Sequence, residues 1–320
     1  MLLTIFLLII GLIILVSGAE ILVRGASSVS KRAGIQPIVI GLTIVAFGTS
    51  APELIVNLIS AFKGTTDIAV GNIIGSNIAN ILLILGISAL IVDLKVSRNT
   101  TWKEIPFAIL AVVALFVLAS DKLFDLNREN VLTRIDGLVL LGFFAAFMYY
   151  AFDMFRRKNV EEPGEEIKTY STPIAFLLIL GGLLFLFFGG QLLVSQAVIL
   201  AKLAGLSEIL IGLTIVAVGT SLPEMATSLI AALKGESDIA IGNVVGSNIF
   251  NIFYILGVTC VIKPIPIGDA AYIDILFCLA VTLILFAAMF VGKKHMLQRW
   301  QGGAFILFYV IYILYLIQRG

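Results

Sequence analysis

The first nineteen residues, MLLTIFLLIIGLIILVSGA, carry no charged side chain, and comparable apolar runs return along the whole chain. A run of this length matches the hydrocarbon thickness of a bilayer when helical, and a helix satisfies its own backbone groups there. The runs are unbroken rather than alternating, which argues against an outer-membrane barrel. Only 13% of the 320 residues are charged and 60% are hydrophobic, where a soluble domain carries about a quarter charged. The chain therefore reads as an all-α integral membrane protein. Its first segment lacks a basic leading region and is followed by further spans, so it is kept as a helix rather than a signal peptide.

Apolar runs between polar breaks predict ten transmembrane helices, near residues 2–23, 37–61, 68–92, 104–120, 131–152, 173–200, 208–233, 239–262, 271–291 and 301–318. Residues 153–172, DMFRRKNVEEPGEEIKTYST, form the most hydrophilic stretch and read as a cytoplasmic linker between 1–152 and 173–320. With the N-terminus outside, 14 Lys and Arg fall in inner loops and 7 in outer ones. The positive-inside rule then places both termini outside a cell membrane. The net charge of +1 gives no reason to expect a nucleic acid, and no protein partner is implied beyond the lipid bilayer. Cys260 and Cys278 lie in apolar stretches and are expected to be buried and reduced, and His295, in a basic loop, to be solvated.

Sliding the sequence over itself by 171 positions aligns residues 41–86 with 212–257, and 30 of the 46 positions are identical without a gap. The offset persists outside this window, where Gly18-Ala19-Glu20 lies over Gly189-Gly190-Gln191. Equivalent spans are five apart, an odd number, so the two halves enter the membrane in opposite senses. The expected architecture is two inverted-topology five-helix repeats, the plan of many secondary transporters.

Carboxylates within the spans are scarce. Glu20 is expected near the end of the first span, and Glu53 and Glu224 occupy equivalent midspan positions of the second and seventh. An ionised group at bilayer depth costs about 2.5–3.5 kcal/mol on insertion scales, so a symmetric pair demands partners such as a cation. Each Glu ends the same phrase, Gly48-Thr49-Ser50-Ala51-Pro52-Glu53 and Gly219-Thr220-Ser221-Leu222-Pro223-Glu224. Proline removes a backbone donor and frees the carbonyl four residues earlier, while the glycine permits a break. Thr49, Ser50, Thr220 and Ser221 add hydroxyl oxygens beside those carbonyls.

The third and eighth spans carry Asn72, Ser76 and Asn80, and Asn243, Ser247 and Asn251, each trio on one helical face. Ser76, Asn80, Ser247 and Asn251 are the deeper members; Asn77 and Asn248 point about 100° away and rank below them as ligands. Gly71 with Gly75, and Gly242 with Gly246, have the spacing of close helix packing. Asp67 and Asp238 are expected to cap helices. The collected donors are two carboxylates with hydroxyl, amide and backbone oxygens, and no sulfur or imidazole. Such a set suits a hard cation, with Ca²⁺ accepting 6–8 oxygens at about 2.3–2.6 Å. Two glutamates balance one Ca²⁺ or two monovalent ions. Emptying such a site within an occluded intermediate would leave two uncompensated carboxylates, which favours obligatory exchange over uniport.

At these residues the chain resembles the calcium/cation antiporter superfamily, and most closely its prokaryotic sodium/calcium exchangers, whose alpha repeats carry G-[TS]-S-x-P-[ED] and G-[ST]-x-x-x-N. The resemblance covers the ten-span plan, both repeats and the linker. It implies that Glu53 and Glu224 are the central metal ligands and that Thr49, Ser50, Thr220, Ser221, Ser76, Asn80, Ser247 and Asn251 complete the cation sites. It also implies that several Na⁺ exchange for one Ca²⁺, with no cofactor, as the first and sixth spans slide across the other eight. The Gly11, Gly18, Gly181, Gly182 and Gly189 stretches are compatible with sliding. Some relatives place Asp where this chain has Asn80 or Asn251, and the linker has no room for the large calcium-sensing domains of animal relatives.

Three other readings fit the sequence less well. Proton/calcium exchange, with H⁺ as counter-ion, is available to the same glutamates, although the Thr- and Ser-rich surroundings favour sodium. A passive channel is disfavoured by the inverted repeats. A membrane-embedded enzyme finds no support, because the chain offers no nucleophile beside a base, no phosphate loop and no His cluster.

Overall fold

The computed structural model describes residues 1–124, 129–156, 169–204 and 217–319. Eight helices among them are long and apolar enough to cross a membrane. They are α1 (Leu2–Ala33), α4 (Ile68–Ile91), α5 (Thr100–Leu118), α6 (Arg134–Arg156), α7 (Thr172–Leu203), α10 (Ser237–Ile262), α11 (Asp269–Ala288) and α12 (Arg299–Arg319). The bent pair α2 (Pro37–Thr49) and α3 (Ala51–Lys63), which meet at 45°, makes nine if it is counted as one span. Of the seventh expected span, α8 (Ala217–Thr220) and α9 (Leu222–Leu233) are described, and the part near 208–216 lies outside the described residues.

The helix ends depart from the polar breaks in the sequence. α1 continues ten residues beyond the expected end at 23, so Glu20 sits in its middle. The polar side chains of this stretch are compatible with helix: Arg24 pairs with Glu20 one turn earlier at 2.5 Å. Lys31 and Arg32 occupy the last turn, where cations favour the helix dipole. The true stop is Gly34, with φ 64°, where the Ile35 N–H donates to the Ser30 carbonyl and closes a Schellman cap. The helical stretch Thr66–Ala79, which runs into α4, takes in Asp67, and α10 begins at Ser237, so neither Asp67 nor Asp238 precedes its helix.

α1 and α7 pack antiparallel along a seam of small residues. A Cβ at Gly18 would lie 2.7 Å from the Leu186 nitrogen, one at Gly182 2.6 Å from the Leu22 nitrogen, and one at Gly25 2.8 Å from the Ala175 carbonyl. Gly11, Gly18 and Gly25 step by seven residues and meet Gly189, Gly182 and Ala175, which step back by seven, so backbone approaches backbone over four turns. Within the core, Gly242 and Gly246 allow similar contact with α2 at the carbonyls of Ile38 and Leu42.

Two short antiparallel ribbons, which no sequence period announces, join the halves. β1 (Leu94–Lys95) pairs with β4 (Met296–Leu297), and β2 (Val131–Leu132) with β3 (Ile265–Pro266). Side-chain links between loops accompany them. Asp93 accepts from the Arg299 backbone, and Arg32 donates to the Tyr170 carbonyl. Lys122 pairs with Asp269. Each ribbon joins a loop of the first half to a loop of the second. α4 and α10, which carry the asparagines, are the most thoroughly buried long helices.

Candidate functional site

The site begins at two interruptions. Pro52 has no N–H for the Gly48 carbonyl, and Ser50, with φ −82° and ψ 10°, leaves the helical path between α2 and α3. Ser221 does the same between α8 and α9, with φ −87° and ψ 6°. Each break starts a new helix with its glutamate in the first turn, where unpaired N–H groups and the positive end of the dipole favour a carboxylate. Both prolines thus lie in the first turn, where a backbone N–H has no intrahelical partner to lose.

Glu53 and Glu224 are fully buried, and their partners follow the internal symmetry. Oε1 of Glu53 accepts from Ser76 of its own half at 3.3 Å and from Ser221 of the other half at 3.3 Å. Oε1 of Glu224 accepts from Ser247 of its own half at 3.4 Å and from Ser50 of the other at 2.8 Å. The Ser76 and Ser221 hydroxyls lie 3.0 Å apart. The second oxygen, Oε2, of each glutamate is buried with no hydrogen-bond partner.

The outer threonines reach across too. Thr49 donates to Oδ1 of Asn243 at 3.0 Å, and Thr220 to Oδ1 of Asn72 at 3.4 Å. Deeper in, Asn80 and Asn251 begin or enter the π-helical stretches Asn80–Leu85 and Phe250–Leu256, the type of local widening that often marks functional sites. Asn80 donates to Oδ1 of Asn248 and Asn251 to Oδ1 of Asn77, each at 2.9 Å. Oδ1 of both Asn80 and Asn251 is buried without a hydrogen-bond partner. Two carboxylate and two amide oxygens, arranged as two equivalent pairs, are thus withheld from the protein's own hydrogen bonding. Unpaired buried oxygens are costly, and a hard cation is one chemical species whose oxygen shell could take up groups of this kind. Among the described residues there is no cluster of three or more His, Cys, Asp or Glu that could hold a metal, so neutral oxygens must complete any shell around the two glutamates.

A cavity of about 310 Å³ adjoins this centre, lined by Pro52, Val56, Gln191, Val194, Thr220 and Pro223 among others. It lies between α7 and the two helix breaks. The Gly219 position lets the Val194 side chain of α7 approach, since a Cβ there would come within 2.6 Å of Cγ2.

A helical wheel counts directions on one helix, so it does not show that the contacts of Asn77 and Asn248 run between the halves. Sequence reasoning missed Asn57, whose amide donates to the Glu53 carbonyl at 2.9 Å. A further buried carboxylate, Glu104, sits in α5 and accepts from the Tyr150 hydroxyl; no repeat flags it. Asp274, inside α11, forms a bidentate pair with Arg319 at 2.9 and 2.8 Å. His295 is not simply solvated: it is half-buried and bonded through Nδ1 to the Thr101 hydroxyl at 2.9 Å. Cys260 and Cys278 are buried free thiols.

Broken helices that bring two carboxylates and a shell of neutral oxygens to the junction of two similar halves define a membrane carrier for cations. The chain belongs to the sodium/calcium exchanger family: the family profile described as sodium/calcium exchanger protein matches residues 3–152 and 174–318. The chain is 38% identical over 299 residues to inner membrane protein YrbG of Escherichia coli, covering 90% of this chain and 89% of that one. To the sodium/calcium exchanger MaX1 of Methanosarcina acetivorans it is 30% identical over 343 aligned positions, 97% of each chain. Among solved structures, the sodium-calcium exchanger NCX_Mj soaked with 10 mM Na⁺ and no Ca²⁺ superposes with a TM-score of 0.83 at 31% identity, covering 98% of both chains.

Proposed function

We propose that this protein is a secondary antiporter that exchanges sodium for calcium across the cell membrane by alternating access at a midplane site. In this reading it has ten transmembrane helices in two inverted five-helix repeats, 1–152 and 173–320, joined by the linker 153–172, with both termini outside. Glu53 and Glu224 hold the cation, with Thr49, Ser50, Thr220, Ser221, Ser76, Asn80, Ser247 and Asn251 supplying neutral oxygens. The observation that carries the proposal is the set of four unpartnered buried oxygens on Glu53, Glu224, Asn80 and Asn251. The family, the name of MaX1 and the soaking of NCX_Mj with Na⁺, Ca²⁺ and Sr²⁺ support the same substrates.

The charge arithmetic supports coupling. Two carboxylates balance one Ca²⁺, and an unloaded passage through a low-dielectric occluded state would expose both charges. Sodium therefore replaces calcium on the return step. The deciding measurement is ⁴⁵Ca²⁺ uptake into proteoliposomes loaded with sodium, against potassium-loaded vesicles and vesicles with a pH gradient and no sodium. Uptake that requires internal sodium and disappears in Glu53→Gln is expected. Uptake that follows the pH gradient alone would make this a proton/calcium exchanger, and uptake indifferent to both would refute antiport.

A further inference from the structure

The orientation of the two ligand amides is dictated by atoms that can only accept. Asn77 Nδ2 donates to the backbone carbonyl of Asn248 at 3.2 Å, and Asn248 Nδ2 donates to the carbonyl of Asn77 at 3.3 Å. A carbonyl has no proton to give, so each of these side chains must turn its nitrogen to the opposite backbone and its oxygen away. Those oxygens then meet Asn251 and Asn80, Asn77 Oδ1 taking the Asn251 Nδ2 proton and Asn248 Oδ1 that of Asn80, each at 2.9 Å. With its NH₂ committed, each ligand amide has its oxygen as the remaining group, and both oxygens are buried and unpartnered. Asn251 Nδ2 also lies 3.3 Å from the Ser76 hydroxyl, which itself bonds to Glu53, so this amide belongs to the same polar centre as the carboxylates.

We propose that Asn77 and Asn248 are positioning residues that hold the Asn251 and Asn80 amides oxygen-first toward the cation, each acting on the ligand of the opposite half. The inference rests on the reading of the Glu53 and Glu224 centre as a cation site. Without the crossed lock, an amide can rotate and present NH₂ to a positive ion, which turns a ligand into a repulsive neighbour. The lock is reciprocal and runs through backbone carbonyls, so it also keeps the two halves of the site in register with one another.

The test is a set of double-mutant comparisons on the full-length protein, reading ⁴⁵Ca²⁺ binding in detergent and half-saturating Ca²⁺ for uptake in proteoliposomes. Loss of a residue that orients a metal ligand typically costs about 10- to 100-fold in affinity, and Asn77→Ala is expected to fall in that range. In an Asn251→Ala background the same substitution should cost less than about twofold, because the ligand it orients is gone. In an Asn80→Ala background the full loss should persist, although Asn80 is the nearer residue on the same helix. Asn251→Asp should rescue Asn77→Ala, since a carboxylate presents oxygen whichever way it turns. Should Asn77→Ala fail to fold, Asn248→Ala measured against Asn80→Asp and Asn251→Ala asks the mirror-image question. Equal losses in both alanine backgrounds, or coupling to the residue of the same half, would overturn the proposal and leave a general packing role. A wild type that binds no ⁴⁵Ca²⁺ would instead bring down the cation-site reading, and this inference with it.

Discussion

Each glutamate takes one hydroxyl from its own half and one from the other, and the two cross-half bonds are unequal. Ser50 reaches Glu224 at 2.8 Å, whereas Ser221 lies 3.3 Å from Glu53. A hydrogen bond to a charged group contributes about 1.5–3 kcal/mol and weakens with length. Ser50→Ala should therefore raise half-saturating Ca²⁺ about 10- to 100-fold, and Ser221→Ala by less, in the same proteoliposome assay. An equal effect of the two would mean that the serines act only as cation ligands and that their bonds to the glutamates contribute nothing. At this scale the sequence was informative because a polar residue in an apolar span is conspicuous, and doubly so when it recurs at a fixed offset. Glu53, Ser50 and Asn80 stand out that way. The cross-half bonds of Asn77 and the buried Glu104 were not legible for related reasons: the first run across an interface that a single helix cannot reveal, and the second has no counterpart, since Ile275 stands at the equivalent position.

At the scale of elements, the breaks and the α1–α7 seam make different demands. Pro52→Ala restores an N–H and permits α2 to run on into α3, which would withdraw the Gly48 carbonyl and turn Glu53 off its axis. The expected result is folded protein with little sodium-driven ⁴⁵Ca²⁺ uptake, and retention of full uptake would show that Ser50 alone maintains the bend. The seam is tested by neighbours in sequence. A side chain at Gly182 would meet backbone at 2.6 Å, whereas Gly181 has nothing within 4 Å among the described residues. Overpacking costs about 1–3 kcal/mol or more where backbone must shift. Gly182→Val should lower the thermal stability of the detergent-solubilised protein by several degrees and Gly181→Val should not; similar behaviour would mean that the seam opens freely. The broken helices were legible because glycine, proline and glutamate fall together twice. The ends of α1 were not, because Arg24, Lys31 and Arg32 look like a loop until Glu20, the helix dipole and the Gly34 cap are counted. The two-residue ribbons carry no periodic signal at all.

At the scale of the whole molecule the two halves are not alike where they flank the glutamates. Glu20 of α1 pairs with Lys234, just beyond α9, at 3.3 Å and with Arg24 at 2.5 Å. The internal repeat sets Gln191, Ser195 and Lys63 at the corresponding positions of the other end, so a neutral Gln191 stands where Glu20 makes its ion pairs, and there the 310 Å³ cavity separates α7 from α3. The residues flanking the two ends report the difference: Ile55 is 43% exposed in the cavity wall, while its equivalent Ala226 is 9% exposed. If the ion pair helps hold α1 against the second half, weakening it should open one end at the expense of the other. The native cysteines are buried, which lets a membrane-impermeant maleimide report on an introduced thiol. Ile55→Cys should react quickly and Ala226→Cys slowly. Partly exposed pairs contribute about 0.2–1 kcal/mol, so Lys234→Gln should raise Ala226→Cys labelling by up to about fivefold and lower Ile55→Cys labelling, and added salt should mimic the substitution in the parent. Opposite changes at the two probes would tie the charge asymmetry to alternating access. A rise at Ala226→Cys without a fall at Ile55→Cys would mean that Lys234 restrains one end locally, and no change at either would remove the ion pair from the conformational balance.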